Sequence, residues 1–315
     1  MSPKKLVTAI VVSAIGLVCA LALFATETQP QNGSWTVQPG DEPGKVRFAL
    51  LQHWKGHNSN HESEWSPSAF EGLDLSVKGK HDVKFTIRRD AGRFECEGYI
   101  EDSEGAGVFH FFPDGKYADN MAAVGFKIDP EKQFNMAIFD VSVNFAQEMK
   151  NLNLNNLDTD KLIAFKIFGV DTKFVKEIRA EGLDTNDSDK LVAFRIHGVT
   201  PEFVRSVRTA GYKPDQDELI AMRIHGATPE WMAQLKKDGY DHIELQKLIA
   251  FRIHGVSPEF IEKVESLGYK HPEPDQLIAM RIHGVTPEFI ASMKSRTGKE
   301  LTIDQLVSLR IHGID

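Results

Sequence analysis

The sequence predicts an α+β chain: a small antiparallel β-rich domain followed by an all-α solenoid of tandem 28–29-residue helix-hairpin repeats. Three observations predict it. Between Val46 and Ile100, apolar residues alternate with polar ones, the period of a half-buried strand. The tetrad Arg-Ile-His-Gly recurs at Arg195, Arg223, Arg252, Arg281 and Arg310, its glycines 28 or 29 residues apart. Around each tetrad, helix start and stop signals stand at fixed offsets. A period of this length marks stacked units, each too small to bury its apolar face alone.

The first 25 residues read as a signal or transmembrane anchor. Lys4 and Lys5 precede an apolar run from Leu6 to Ala25, enough for a helix to cross a hydrocarbon core of about 30 Å. The short basic start and the Ala20 and Ala22 pair also fit a cleaved signal peptide. Residues 26–44, polar and rich in Pro, Gly and Gln, read as a flexible linker. Beyond the apolar run the sequence has one cysteine, Cys96, so the exported part must be held by packing and not by an intrachain disulfide. A formal charge of −8 with scattered lysines and arginines offers no basic stripe for a phosphate backbone, which argues against nucleic acid as a partner.

Residues 45–130 read as the β-rich domain. Val46, Phe48 and Leu50 share one strand face, as do Val83, Phe85 and Ile87, and then Phe94, Cys96 and Ile100. The segments Arg88–Gly92 and Ser103–Gly107 supply Asp, Ser and Gly where hairpins turn. A short helix near residues 117–124 closes the meander. Cys96 shares its face with Phe94 and is expected to be buried and inert. Within this domain His53, His57 and His61 are four residues apart, with Glu62 and Glu64 next. On a helix that spacing would align three imidazoles as ligands for zinc or copper. Gly56, Asn58, Ser59 and Asn60 instead favour a solvated loop. The following His-Glu-Ser-Glu-Trp lacks the second histidine of a zinc-hydrolase helix.

Residues 131–315 read as the repeat domain, each unit holding two short helices. Helix A starts at capping-box pairs, Asp215 with Glu218, Asp241 with Glu244 and Thr302 with Gln305, and stops at the tetrad glycine. Helix B starts at Thr200, Thr228, Ser257 or Thr286, with proline in its first position and glutamate in its second. An apolar stripe follows, Phe203, Val204 and Val207 in one unit and Trp231, Met232 and Leu235 in the next. A recurring small residue, from Ala164 to Ser308, would let neighbouring helices approach closely. The tetrad histidine ends helix A, where an imidazole can meet unpaired carbonyls and the negative end of the helix dipole. The tetrad arginines form a second ladder, which either pairs with helix B glutamates or lines one face for an acidic partner. The first recognised unit has Phe168 for His. The sixth breaks off at Asp315, leaving an apolar face for a cap, a partner or self-association.

The repeated Leu-Ile-Ala-x-Arg-Ile-His-Gly-Val-Thr-Pro-Glu-Phe, together with Arg88–Gly98 upstream, resembles repeat-bearing extracytoplasmic regions of bacteria. Some of these are attached to membrane metallopeptidases of the β-lactam-sensor (antirepressor) type. The resemblance spans most of residues 45–315 and implies an envelope-exposed sensing or scaffolding module. It carries no catalytic residue over to this sequence, and the peptidase's own zinc motif is not found in it. The expected function is thus non-enzymatic binding of a protein or peptide, in signalling, on the periplasmic side of the envelope or outside it, with the N-terminal segment in the membrane. The alternative is metal binding or sensing through His53, His57 and His61. A hydrolase is the least supported, since no GxSxG elbow and no motif-borne nucleophile appears.

Overall fold

The computed structural model describes residues 32–54 and 57–314, and the side chains of residues 53–59 lie outside that description. Within it stands a six-stranded antiparallel sheet followed by a succession of short α-helices. The described residues form two compact units. One holds the strands, through Tyr117, together with Asp129–Ile138; the other holds Ala118–Ile128 and the chain from Phe139 onward. The apolar run over 6–25 lies outside the described residues, among which no helix is long and apolar enough to cross a membrane.

The strands are β1 (Asn32–Pro39), β2 (Val46–Trp54), β3 (His57–Trp65), β4 (His81–Arg89), β5 (Gly92–Glu101) and β6 (Glu104–Pro113), in the order β3-β2-β1-β6-β5-β4. Two three-stranded meanders are thus joined through the first and last strands. The flexible linker expected over 26–44 is overturned, because its middle is β1, at the centre of the sheet. Its polar composition hid a strand alternation: Trp35 and Val37 point into the core between exposed Ser34, Thr36 and Gln38. Trp35 is fully buried, and its indole N–H donates to the carbonyls of Val108 at 3.1 Å and Glu97 at 3.3 Å. Gly98 and Gly107 face each other across β5 and β6 and make room for that ring. A Cβ on either would lie 2.9 or 2.7 Å from an indole atom.

The sheet coils enough to bring Phe85 of β4 against Trp35, ring centroids 5.0 Å apart, and Phe48, Trp65 and Phe70 complete the cluster. Farther along, Phe94, Phe109 and Phe111 are covered by Phe134 of a helix described below. Both expected hairpins form. The second turns at Asp102 and Ser103, with φ of 48° and 77°, one step ahead of the expected segment. Burial pushes the Cys96 thiol up to about 12.

Helices α1 (Tyr117–Ala123), α2 (Pro130–Ile138) and α3 (Val143–Lys150) precede the recognisable tetrads. Gln133 of α2 ties it to the sheet, its amide donating to the carbonyls of Ala91 and Asp114 at 2.8 Å. Helix A of successive units is α4 (Thr159–Phe168), α6 (Ser188–His197), α8 (Gln216–His225), α10 (Leu245–His254), α12 (Pro274–Ile282) and α14 (Ile303–Ile311). Helix B is α5 (Thr172–Ala180), α7 (Pro201–Thr209), α9 (Pro229–Lys237), α11 (Pro258–Ser266) and α13 (Pro287–Thr297). Each A helix packs against the next, and B helices lie against each other at both ends of the run, giving the two-layered stack of an α-solenoid.

The punctuation works as its chemistry dictates. The hydroxyls of Thr200, Thr228, Ser257 and Thr286 accept from the backbone N–H of the aromatic three residues on, at 3.2–3.3 Å. Each tetrad glycine has φ near +70°, and the apolar residue after it returns a bond to the helix, as from Val199 N–H to the Phe194 carbonyl at 2.7 Å. Of the three expected capping boxes those at Asp215 and Thr302 form, and a further one forms at Glu273 with Gln276. The one expected from Asp241 to Glu244 does not. His242, at φ +59°, turns the chain between them, and α10 starts at Leu245 with Glu244 before it.

The repeat also begins one unit earlier than the tetrads reveal. Asp140, at φ +54°, occupies the glycine position 29 residues before Gly169, and Ser142 accepts from Phe145 N–H as Thr200 does from Phe203. This earliest unit lacks both Gly and His, so only its cap and aromatic mark it.

Candidate functional site

Two groups of residues were singled out by the sequence, and they lie in different units. His53, His57 and His61 belong to the hairpin of β2 and β3, not to a loop. Trp54 pairs with His57, His53 with Asn58, and Leu50 with His61. The polar run was misread because β3 is an edge strand, where exposed charge such as Glu62 and Glu64 is the usual device against further pairing. Four residues along β3 span about 13 Å, which separates His57 from His61, and His53 stands on the opposite strand, so the helical alignment of three imidazoles does not arise. His61 is half-buried, and burial holds its pKa below the ordinary histidine value. The side chains of His53 and His57 lie outside the described residues. Among the described residues, no group of three His, Cys, Asp or Glu side chains could hold a metal ion.

The arginine ladder has a geometry that sequence reasoning missed. Each tetrad arginine reaches back one repeat. Arg195 donates from Nε to the carbonyl of Phe168 at 3.0 Å, Arg223 to His197 at 3.2 Å, and Arg252 and Arg281 to His225 and His254 at 3.1 Å. These carbonyls end the preceding A helices, which leave their last acceptors without intrahelical partners. The same guanidinium lies over the aromatic of the preceding B helix: Arg195 over Phe174, Arg223 over Phe203, Arg252 over Trp231, Arg281 over Phe260 and Arg310 over Phe289, at 4.8–5.2 Å. A planar group can donate in its plane and stack on its face at once, which an ammonium cannot. Lys166, at the equivalent place in the first recognised unit, covers Phe145 at 5.0 Å.

This overturns the expected pairing of the arginines with helix B glutamates. Those carboxylates are occupied at their own helix starts. Hydrogen bonds from backbone N–H first, and from the Thr cap second, hold Glu202, Glu230 and Glu288 below the usual carboxylate range. The tetrad glycine is needed for a second reason beside its φ. A Cβ on Gly198 or Gly226 would lie 2.7 or 2.8 Å from Nη2 of the arginine seated on it.

The histidines contribute mainly through their backbones. His197, His225 and His254 present the carbonyls that the arginines use, while His312 is the one whose ring meets a helix carbonyl, Ser308 at 2.7 Å. Burial pushes His197 and His225 down, opposite to the rise that a helix C-terminus would produce. The helix-capping role expected of the ring therefore falls to the arginine of the next unit.

The isoleucine inside each tetrad is left outward. Ile167, Ile196, Ile224, Ile253, Ile282 and Ile311 are 47–58 % exposed, in the same position of six consecutive A helices. Alanines three residues earlier are also partly exposed. Other seams complete the array. Lys161 pairs with Asp189, Lys190 with Asp217, and Lys247 with Asp275. Tyr240 and Tyr269 donate to the carbonyls of Pro272 and Leu301 in the following unit.

Compared with protein-family models, with curated proteins and with solved structures, the chain matches none.

Proposed function

We propose that this chain is a non-enzymatic binding or scaffold protein of the bacterial cell envelope, which engages a protein or peptide partner through the outer face of its A helices in a signalling role. One observation carries the reading. Packing accounts for the arginine and the glycine of each tetrad, but the isoleucine between them stays exposed and is repeated without change. Large apolar side chains kept in solvent at a fixed period are the mark of a surface awaiting a partner. The apolar run over 6–25 supports the envelope setting, and so does the resemblance to extracytoplasmic repeat regions.

A photo-crosslinking residue placed at Ile224 of the full chain tests the reading, with the same residue at Glu230 on helix B as control. Irradiation in cells is expected to give one dominant adduct from position 224 and little from 230. Equal adducts from both positions, or none from 224, would refute a binding face on the A helices.

A further inference from the structure

The exposed isoleucines are not isolated. Three residues before each, and so on the same helix face, stands a partly exposed alanine: Ala164, Ala193, Ala221, Ala250 and Ala279. Because successive A helices pack side by side, the two columns make an apolar trough that crosses the helices, with a rung every 8–10 Å or so. Immediately before these isoleucines stand the exposed tetrad arginines Arg195, Arg223, Arg252 and Arg281. Ion pairs among the described residues of this unit, such as Lys190 with Asp217 and Arg205 with Glu181, do not include Arg195, Arg223, Arg252 or Arg281. Their positive charge is fixed in place by ring and carbonyl, and among the described residues none of the four is in an ion pair, although Glu230 feels the charge of Arg223.

We propose that this trough binds an extended acidic peptide in the polyproline II conformation, with an apolar residue at every third position. The proposal rests on the A-helix face being the binding face and adds what fits it. A polyproline II chain turns once in three residues, about 9.3 Å, so one side chain per turn meets one rung. A strand returns to the same face after about 6.8 Å and a helix after about 5.4 Å, and neither keeps step over several rungs. The trough is made of helices and offers no sheet edge, which suits a ligand that needs no backbone ladder. Acidic residues between the apolar ones complement these arginines.

The test uses the full chain and fluorescein-labelled synthetic peptides, read by fluorescence anisotropy. One peptide carries five copies of Leu-Pro-Glu, a second replaces Glu by Lys, and a third alternates Leu with Glu. The first is expected to bind, and the other two at least about tenfold more weakly. Replacing Ile196→Ser, Ile224→Ser and Ile253→Ser together should weaken the first about tenfold or more. The thermal melt should hardly move, since these side chains face solvent. Equal binding of all three peptides, or an unchanged affinity of the triple variant, overturns the proposal. Sedimentation showing an isoleucine-dependent dimer that excludes the peptide would assign the trough to a second copy. That outcome overturns the peptide occupant and leaves the binding face standing. Absence of peptide binding together with no adduct from position 224 overturns both.

Discussion

Replacing Arg252 by alanine removes one seam while leaving both helices whole. The side chain donates to the last carbonyl of the preceding A helix at 3.1 Å and covers Trp231 at 5.2 Å. Because the freed carbonyl lies at the surface, where water replaces the donor, the hydrogen bond contributes about 1 to 1.5 kcal/mol. The solvent-exposed cation over the face of the buried indole adds about 0.5 to 1 kcal/mol, and the better helix propensity of alanine returns about 0.2 kcal/mol. The expected loss is about 1.5 to 2 kcal/mol. Urea denaturation followed by far-UV circular dichroism measures it, with Trp231 emission as a local report on the lost cation. Arg252→Lys should recover less than half of the loss, because an ammonium cannot donate in plane and stack at once. His254→Ala, which leaves the backbone carbonyl in place, should cost under about 0.5 kcal/mol. If the arginine and histidine variants lose the same stability, or if lysine restores all of it, the seam is not what holds adjacent repeats together.

Further outcomes follow from the same geometry. Burial lowers the pKa of His61, His197 and His225 from 6.5, so the unfolded chain takes up protons first as pH falls. Stability is therefore full above about pH 6.5 and declines below it until the folded-state values are passed. Urea midpoints between pH 7.5 and 5 check this, and a double replacement His197→Gln with His225→Gln should flatten the decline. Cys96, buried and pushed up to about 12, should resist alkylation in the native protein at pH 8 and react once urea unfolds the sheet; peptide mapping separates it from Cys19. The indole N–H of Trp231 is buried without an acceptor, whereas the other complete units carry phenylalanine there. Trp231→Phe should leave the melting temperature unchanged or raise it, since an unsatisfied buried donor costs about 1 kcal/mol or more.

The repeat architecture could be read from sequence because each of its signals is local. A hydroxyl three residues before an aromatic amide, and a glycine that must take positive φ, act within one turn of chain. The missed elements depend on distant partners instead. Asn32–Pro39 is a strand because β2 and β6 flank it, and its Pro and Gln neighbours hid the alternation of Trp35 and Val37. His57–Trp65 is a strand because β2 runs beside it residue by residue. The arginine seam spans 26 or 27 residues, and no local pattern names its acceptor. A spacing argument was still within reach: a recurring arginine 20 or 21 residues after a recurring aromatic, beside a recurring glycine too small to block it. The exposed isoleucine was the harder case. In sequence it looks like one more core residue, and only its exposure two residues after a fully buried side chain, such as Phe194 or Met222, shows that it faces out.

Every arginine reaches towards the N-terminus and none towards the C-terminus, so the stack has a direction, and each seam is written entirely within two adjacent units. Removing the 29 residues from Ala227 to Gly255 would therefore join Gly226 to Val256 with the arginine seam intact, the carbonyl of His225 taking the place of that of His254, while Glu218 would replace Lys247 opposite Asp275. The trough would lose one rung and keep its character. Lengthening or shortening by whole units thus changes the length of the exposed face without redesigning the arginine seam, and duplication within the gene becomes a route to a longer one.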